Sequence, residues 1–185
     1  MAVDLSPKEL NNRLAAFLNS GGQVAIIVRD CPVWKSLAIG GKPKKELLDE
    51  LALTDVNATD SAKDIISSSK FITLASEKTI CLARAKVGDL GFTEKPTTIE
   101  LWDRIKEIGE LCPAEIGMHQ YVISEDQPNG ECFWIAMEQI TDSKDNPRIF
   151  CVERSNVGLS RLDARSARPG GRWRLSEKIV YVISK

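Results

Sequence analysis

Apolar residues recur at helical spacing in several stretches of the chain. Leu10, Leu14, Phe17 and Leu18 form one face behind SPKE, where Ser6 caps, Pro7 suits the first helical position and Glu9 completes a capping box. Gly21 and Gly22 end that helix, and QVAIIV, residues 23–28, follows as a short buried strand. Residues 31–41 show no period. Two shorter helices are expected at 43–53, carrying Leu47, Leu48 and Leu51, and at 60–67, carrying Ile65 and Ile66. The runs FITLA and TICLARA flank Ser76-Glu77-Lys78 as a candidate hairpin. The clearest helix is PTTIELWDRIKEIGEL. Thr97 and Glu100 form its capping box, and Leu101, Trp102, Ile105 and Ile108 make its apolar stripe.

From Met118 onward the period changes to that of strands. Five are expected, at 118–124, 131–140, 148–154, 159–164 and 178–184. Asn129-Gly130 marks a tight turn, and TDSKDNP and RSNVG separate the next pairs. Short connections favour antiparallel neighbours, so these strands read as a meander. CFWIAM, IFCV and IVYVI are apolar on consecutive residues, which calls for cover on both faces. The helix at 98–111 would cover one face, and the N-terminal helices, barrel closure or a second protomer the other. The expected fold is α+β: N-terminal helices with a short strand and hairpin (1–95), packed on a helix and a five-stranded antiparallel meander (96–185), all within one domain that curls toward a partial barrel.

Composition narrows the classes. The chain has 185 residues, 43 % apolar and 28 % charged, with net charge -1. No global field draws it to nucleic acid or anionic lipid. No apolar run reaches membrane-spanning length, and MAVDLSPKEL lacks a signal-peptide pattern, so a cytoplasmic protein is expected. The five cysteines, Cys31, Cys81, Cys112, Cys132 and Cys151, show no CxxC spacing, and several lie in apolar runs. They read as reduced, buried thiols.

LGF (90–92), LCPAE with Gly117 (111–117), DQP with Gly130-Glu131, Asp142-Ser143 and the terminal stretch from Val180 resemble a recurrent C-terminal module of uncharacterised bacterial proteins. The resemblance covers about the C-terminal half and implies no activity. It implies an origin as a mobile, integron-type gene-cassette product.

Candidate chemistry is sparse. GGKPKK invites a phosphate-loop reading, but Ser36 stands where the first glycine belongs and Pro43 where the hydroxyl belongs. His119 is the only histidine and has no ligand-spaced companions, so neither metal nor cofactor is expected. A Cys112–His119 nucleophile–base pair with Glu115 orienting the imidazole is the one catalytic arrangement to consider. Asp142, Asp145 and Asn146 read as turn residues, without calcium-loop spacing.

The arginines change the picture most. Residues 153–178 hold six Arg and one Lys against two Glu and one Asp, a local +4, leaving -5 for the rest of the chain. Arg161, Arg165, Arg172 and Arg174 with Trp173 would grip an anion or stack a base. The competing reading is a turn at Pro169-Gly170-Gly171 whose arginines shield sheet edges and pair with acids, and it is favoured. The expected function is a non-catalytic binding or interaction protein that forms homo-oligomers through its sheet. The alternatives are nucleic-acid or anionic-ligand binding through Arg161–Arg174, or through 43–86 as a winged helix-turn-helix, and a small-substrate enzyme using Cys112 and His119.

Overall fold

The computed structural model describes residues 33–53 and 57–183. The helix expected behind Ser6, the strand at 23–28 and Cys31 lie outside the described residues. Strand β1 (Lys35–Ile39) arises in the stretch without a sequence period. Gly40 and Gly41 then turn the chain with φ of 89° and 75°. Helix α1 (Lys44–Ala52) follows Pro43, which takes the cap position, and buries Leu47 and Leu51. After β2 (Asn57–Ala58), helix α2 (Asp60–Ser67) starts where Thr59 accepts from the Ala62 amide, and it buries Ala62, Ile65 and Ile66. These two helices match the expectation from sequence.

The hairpin does not form. Residues 71–75 are irregular, and β3 (Lys78–Lys86) pairs with β1 on one side and with the last strand on the other. Residues 43–86 therefore do not make a winged helix-turn-helix, because the would-be wing is an inner strand of the main sheet. Helix α3 (Thr98–Ile108) carries the expected capping box and buries Leu101, Trp102 and Ile105.

The first expected C-terminal strand is helical instead. A 3-10 segment, Ala114–His119, runs into the single turn α4 (Gln120–Ile123). Packing overrides the apparent strand period here. Glu115, Ile116, Gly117, Gln120 and Ile123 all face inward, and the Gly117 backbone lies against the Phe150 ring, where a Cβ would sit 2.5 Å from Cδ2. Strands β4 (Cys132–Ile135), β5 (Ile140–Thr141), β6 (Pro147–Arg154), β7 (Ser160–Ser166) and β8 (Lys178–Val182) follow.

The strands are not a meander and do not close. They form one open, mixed sheet in the order β1-β3-β8-β4-β6-β7-β2, with β5 beside β6. Strand β8 slots between β3 and β4, antiparallel to the first and parallel to the second. What carries the chain there is the connection after β7, which crosses the sheet. Its Trp173 is buried with its ring centroid 5.7 Å from that of Trp102 and 4.9 Å from that of Trp134. The continuous apolarity of the strands follows from this layering. Trp173 and α3 cover one face. The other face receives the 114–123 segment and the Phe71 ring, 6.1 Å from Phe150, with α2 packed against β7. Cover on these two faces thus comes from the chain itself. No helix among the described residues is long and apolar enough to cross a membrane.

Candidate functional site

Strand alternation and register gather the chemically active side chains on one face. Cys132 on β4 is level with Glu153 on β6, and Glu153 with Arg161 on β7. One step along, Trp134, Cys151 and Asp163 make a second row, and Arg165 lies opposite Ile149 in a third. Successive strand residues point to opposite faces, so residues two apart share one.

In these rows, Glu153 is held by both Arg161 and Arg165. Arg161 Nε donates to Glu153 Oε2 at 3.2 Å, and Arg165 Nε donates to Asp163 Oδ2 at 3.0 Å. The hydrogen bond to Glu153 raises the Arg161 pKa. Burial alone would lift the Asp163 carboxyl, but hydrogen bonds from Thr59, Arg165 and the Ala164 amide outweigh it and hold the group below the ordinary range. The Arg165 guanidinium carbon stands 5.9 Å from the Trp134 ring centroid, at the outer reach of a cation–π contact. Cys132 and Cys151 form a disulfide across the strands, their Cα atoms 6.8 Å apart. This differs from the sequence reading of reduced thiols. The pair is 19 residues apart and carries no spacing motif.

A cleft of about 570 Å³ opens beside the first row. Asn57, Glu131, Cys132, Glu153, Asn156 and Arg161 are among its lining residues.

The remaining arginines go elsewhere. Arg172 Nη1 donates to the Lys95 carbonyl at 2.7 Å, beside the start of α3. Trp173 is buried and its Nε1 donates to Thr98 Oγ1 at 3.0 Å, which makes it core. Arg174 is exposed, and its backbone N–H donates to Glu177 in the turn before β8. The stretch therefore divides. Arg161 and Arg165 join the sheet-face cluster, while Arg172 and Arg174 dress the connection before β8.

Glu115 and His119 occupy the helical segment under the opposite face, and Cys112 stands just before it in an isolated bridge with Met137. Cys112 is buried, its Sγ lies 3.6 Å from the Val180 carbonyl, and burial pushes its thiol pKa up. A thiol in that setting is a poor nucleophile. Glu115 is fully buried and accepts from the Gly40 amide at 2.6 Å and the Leu74 amide at 2.8 Å, with His119 Nε2 at 3.4 Å. It locks the Gly40 turn and the 71–75 stretch onto the core.

Other polar residues of the C-terminal half also have structural work. Gln127 Nε2 donates to the Glu131 and Val152 carbonyls. Arg154 Nη1 reaches the carbonyls of Ser124, Glu125 and Gln127 and so caps the end of α4. Asp142 accepts from the Lys144 and Asn146 amides and from Arg148 Nε; the Asn146 bond foremost, with Arg148 and Lys144 against the opposing effect of burial, lowers its pKa to about 2. That is the turn role expected of TDSKDNP.

Sequence reasoning missed Glu153, Asp163 and the cysteine pair as members of one site. The phase of β4 against β6 was the signal that would have found them, and it is not readable from the turn. Counting back from the Ile140↔Arg148 pair puts Cys132 opposite Asn156, whereas the irregular stretch 136–139 shifts it to Glu153. No protein-family model matches the chain, and neither does any curated protein or solved structure.

Proposed function

We propose that the chain is a non-catalytic binding protein that holds a small, polar, uncharged ligand in the cleft beside β4, β6 and β7. The observation that carries this reading is the lining of the cleft. Its 570 Å³ falls within the range of small-molecule sites. The lining offers the amides of Asn57 and Asn156, the hydroxyls of Ser155 and Ser160, and charges of both signs in Glu131, Glu153, Arg154 and Arg161. Such a surface makes many hydrogen bonds without a net field, which suits a hydroxyl-rich neutral molecule better than an anion. An anion would have to draw Arg161 away from Glu153. The thiol of Cys112 and the imidazole of His119 serve the packing of the opposite face in this reading, and no second copy of the chain is needed to cover the sheet.

The experiment is an amide chemical-shift titration of the full chain with neutral disaccharides in one series and inorganic phosphate in another. Shifts confined to Asn57, Ser155, Asn156 and Arg161 with a disaccharide, and none with phosphate at physiological salt, are expected. Shifts with phosphate alone at Arg161 would replace this reading with the anionic one. An unresponsive cleft in both series would remove it.

A further inference from the structure

Among the described residues, one group has donor atoms placed for a metal ion: Cys132, Cys151 and Glu153, one ligand atom from each, all within 4.8 Å of one another. We propose that these three residues form a redox-gated site for a zinc-type divalent cation, closed while Cys132 and Cys151 are joined and open once they are reduced. The proposal rests on this sheet-face cluster and not on what fills the neighbouring cleft.

Two thiolates and one carboxylate are a donor set that suits zinc, with a fourth position left for water. Bonds of about 2.3 Å to a tetrahedral ion put two sulfurs roughly 3.8 Å apart. Side chains on Cα atoms 6.8 Å apart reach that spacing by rotation about their own bonds, without moving the strands. Cys132 and Glu153 line the cleft, which gives the ion its entry and the fourth ligand its room.

The charges also fit. A divalent ion with two thiolates and one carboxylate carries net -1, and Arg161 and Arg165 already stand on Glu153 to offset it. The two guanidiniums would orient the Glu153 oxygens from outside, as partners of metal ligands commonly do.

Opening the site takes two electrons from a dithiol. One thiolate of the dithiol attacks Cys132 Sγ, the sulfur on the cleft side, and the bond to Cys151 breaks, leaving Cys151 as thiolate. The second thiolate of the dithiol then closes on the mixed disulfide and releases Cys132. The dithiol leaves as its cyclic disulfide. Any protons the two cysteines have taken up go to solvent as the cation binds.

The test uses the full chain, reduced with a trialkylphosphine, which is converted to its oxide and offers no competing thiol. Cobalt(II) is the probe, added without oxygen. A thiolate-to-cobalt charge-transfer band that saturates at one ion per chain is expected in the reduced protein and not in the oxidised one. Cys132→Ser should abolish the band, and Cys81→Ser should leave it. Glu153→Gln, which keeps both sulfurs and so stands even if the serine variant misfolds, should weaken cobalt binding about tenfold or more. No band in the reduced protein, a band that survives Cys132→Ser in a folded chain, or unchanged affinity in Glu153→Gln would each overturn the proposal.

Discussion

Glu115 and Glu153 are both acidic residues at the centre of a polar cluster, in opposite settings. Glu115 is fully buried, and its partners are two backbone amides, of Gly40 and Leu74, and one imidazole. Glu153 keeps 20 % of its side chain exposed, and its partners are two guanidiniums on long, half-open side chains. Backbone amides cannot turn away, so the first cluster fixes chain segments to one another. Guanidiniums can exchange partners, so the second can accept a new one. Cluster chemistry alone does not separate architecture from a site; the freedom of the partners does.

The strongest way to break this comparison is to remove Glu115. Glu115→Ala leaves the part-buried amides of Gly40 and Leu74 without their acceptor, and each unsatisfied buried group costs about 1–3 kcal/mol. A loss of about 4 kcal/mol in urea unfolding is expected, a large share of the stability of an ordinary domain. Glu115→Gln keeps one oxygen acceptor and should lose about half as much. Equal, small losses in both variants would mean that the segment is held by its apolar contacts, and Glu115 would no longer differ from Glu153.

Gly40→Ala sharpens the same point from the partner's side. Gly40 has a φ of 89°, and a Cβ there would lie 2.3 Å from the Ser76 carbonyl oxygen. Strained backbone of this kind costs about 2 kcal/mol, and the shift needed to relieve it would pull the amide off Glu115. The expected loss is therefore not additive with that of Glu115→Ala. Additive losses in a double-mutant cycle would show that the turn and the carboxyl act independently.

These two sites also show what was legible in the sequence. The helices announced themselves through local signals: Thr97 and Glu100 for α3, the Ile65-Ile66 pair for α2, and Pro43 for α1. Residues 118–124 misled, because a short strand-like apolar run was outweighed by the inward packing of Gln120 and Ile123 beside Gly117. The place of β8 was hidden for another reason. The crossover through Trp173 is a long-range choice, and a sequence read by its turns favours neighbouring strands. The α+β class was readable, whereas strand order and the partners of Glu153 depend on contacts that no local period encodes. Of the arginine run, the turn half was legible from Pro169-Gly170-Gly171, and the sheet half only once β7 had its register.

The smallest expected effect is the one that separates the two glutamates most cleanly. In the oxidised chain, Glu153→Gln should change stability by less than about 1 kcal/mol. Arg161 and Arg165 keep 49 % and 38 % of their side chains exposed, so water and salt screen both pairs and rehydrate the guanidiniums when Glu153 loses its charge. Arg165 retains Asp163, and the amide oxygen of glutamine still accepts from Arg161 Nε. Urea unfolding at low and high salt checks this, since what little is lost should vanish as salt rises. A loss above about 2 kcal/mol that persists at high salt is the size of effect expected from a buried, fixed pair. It would make Glu153 a second Glu115, and a carboxyl fixed in that way has no freedom to turn toward a cation.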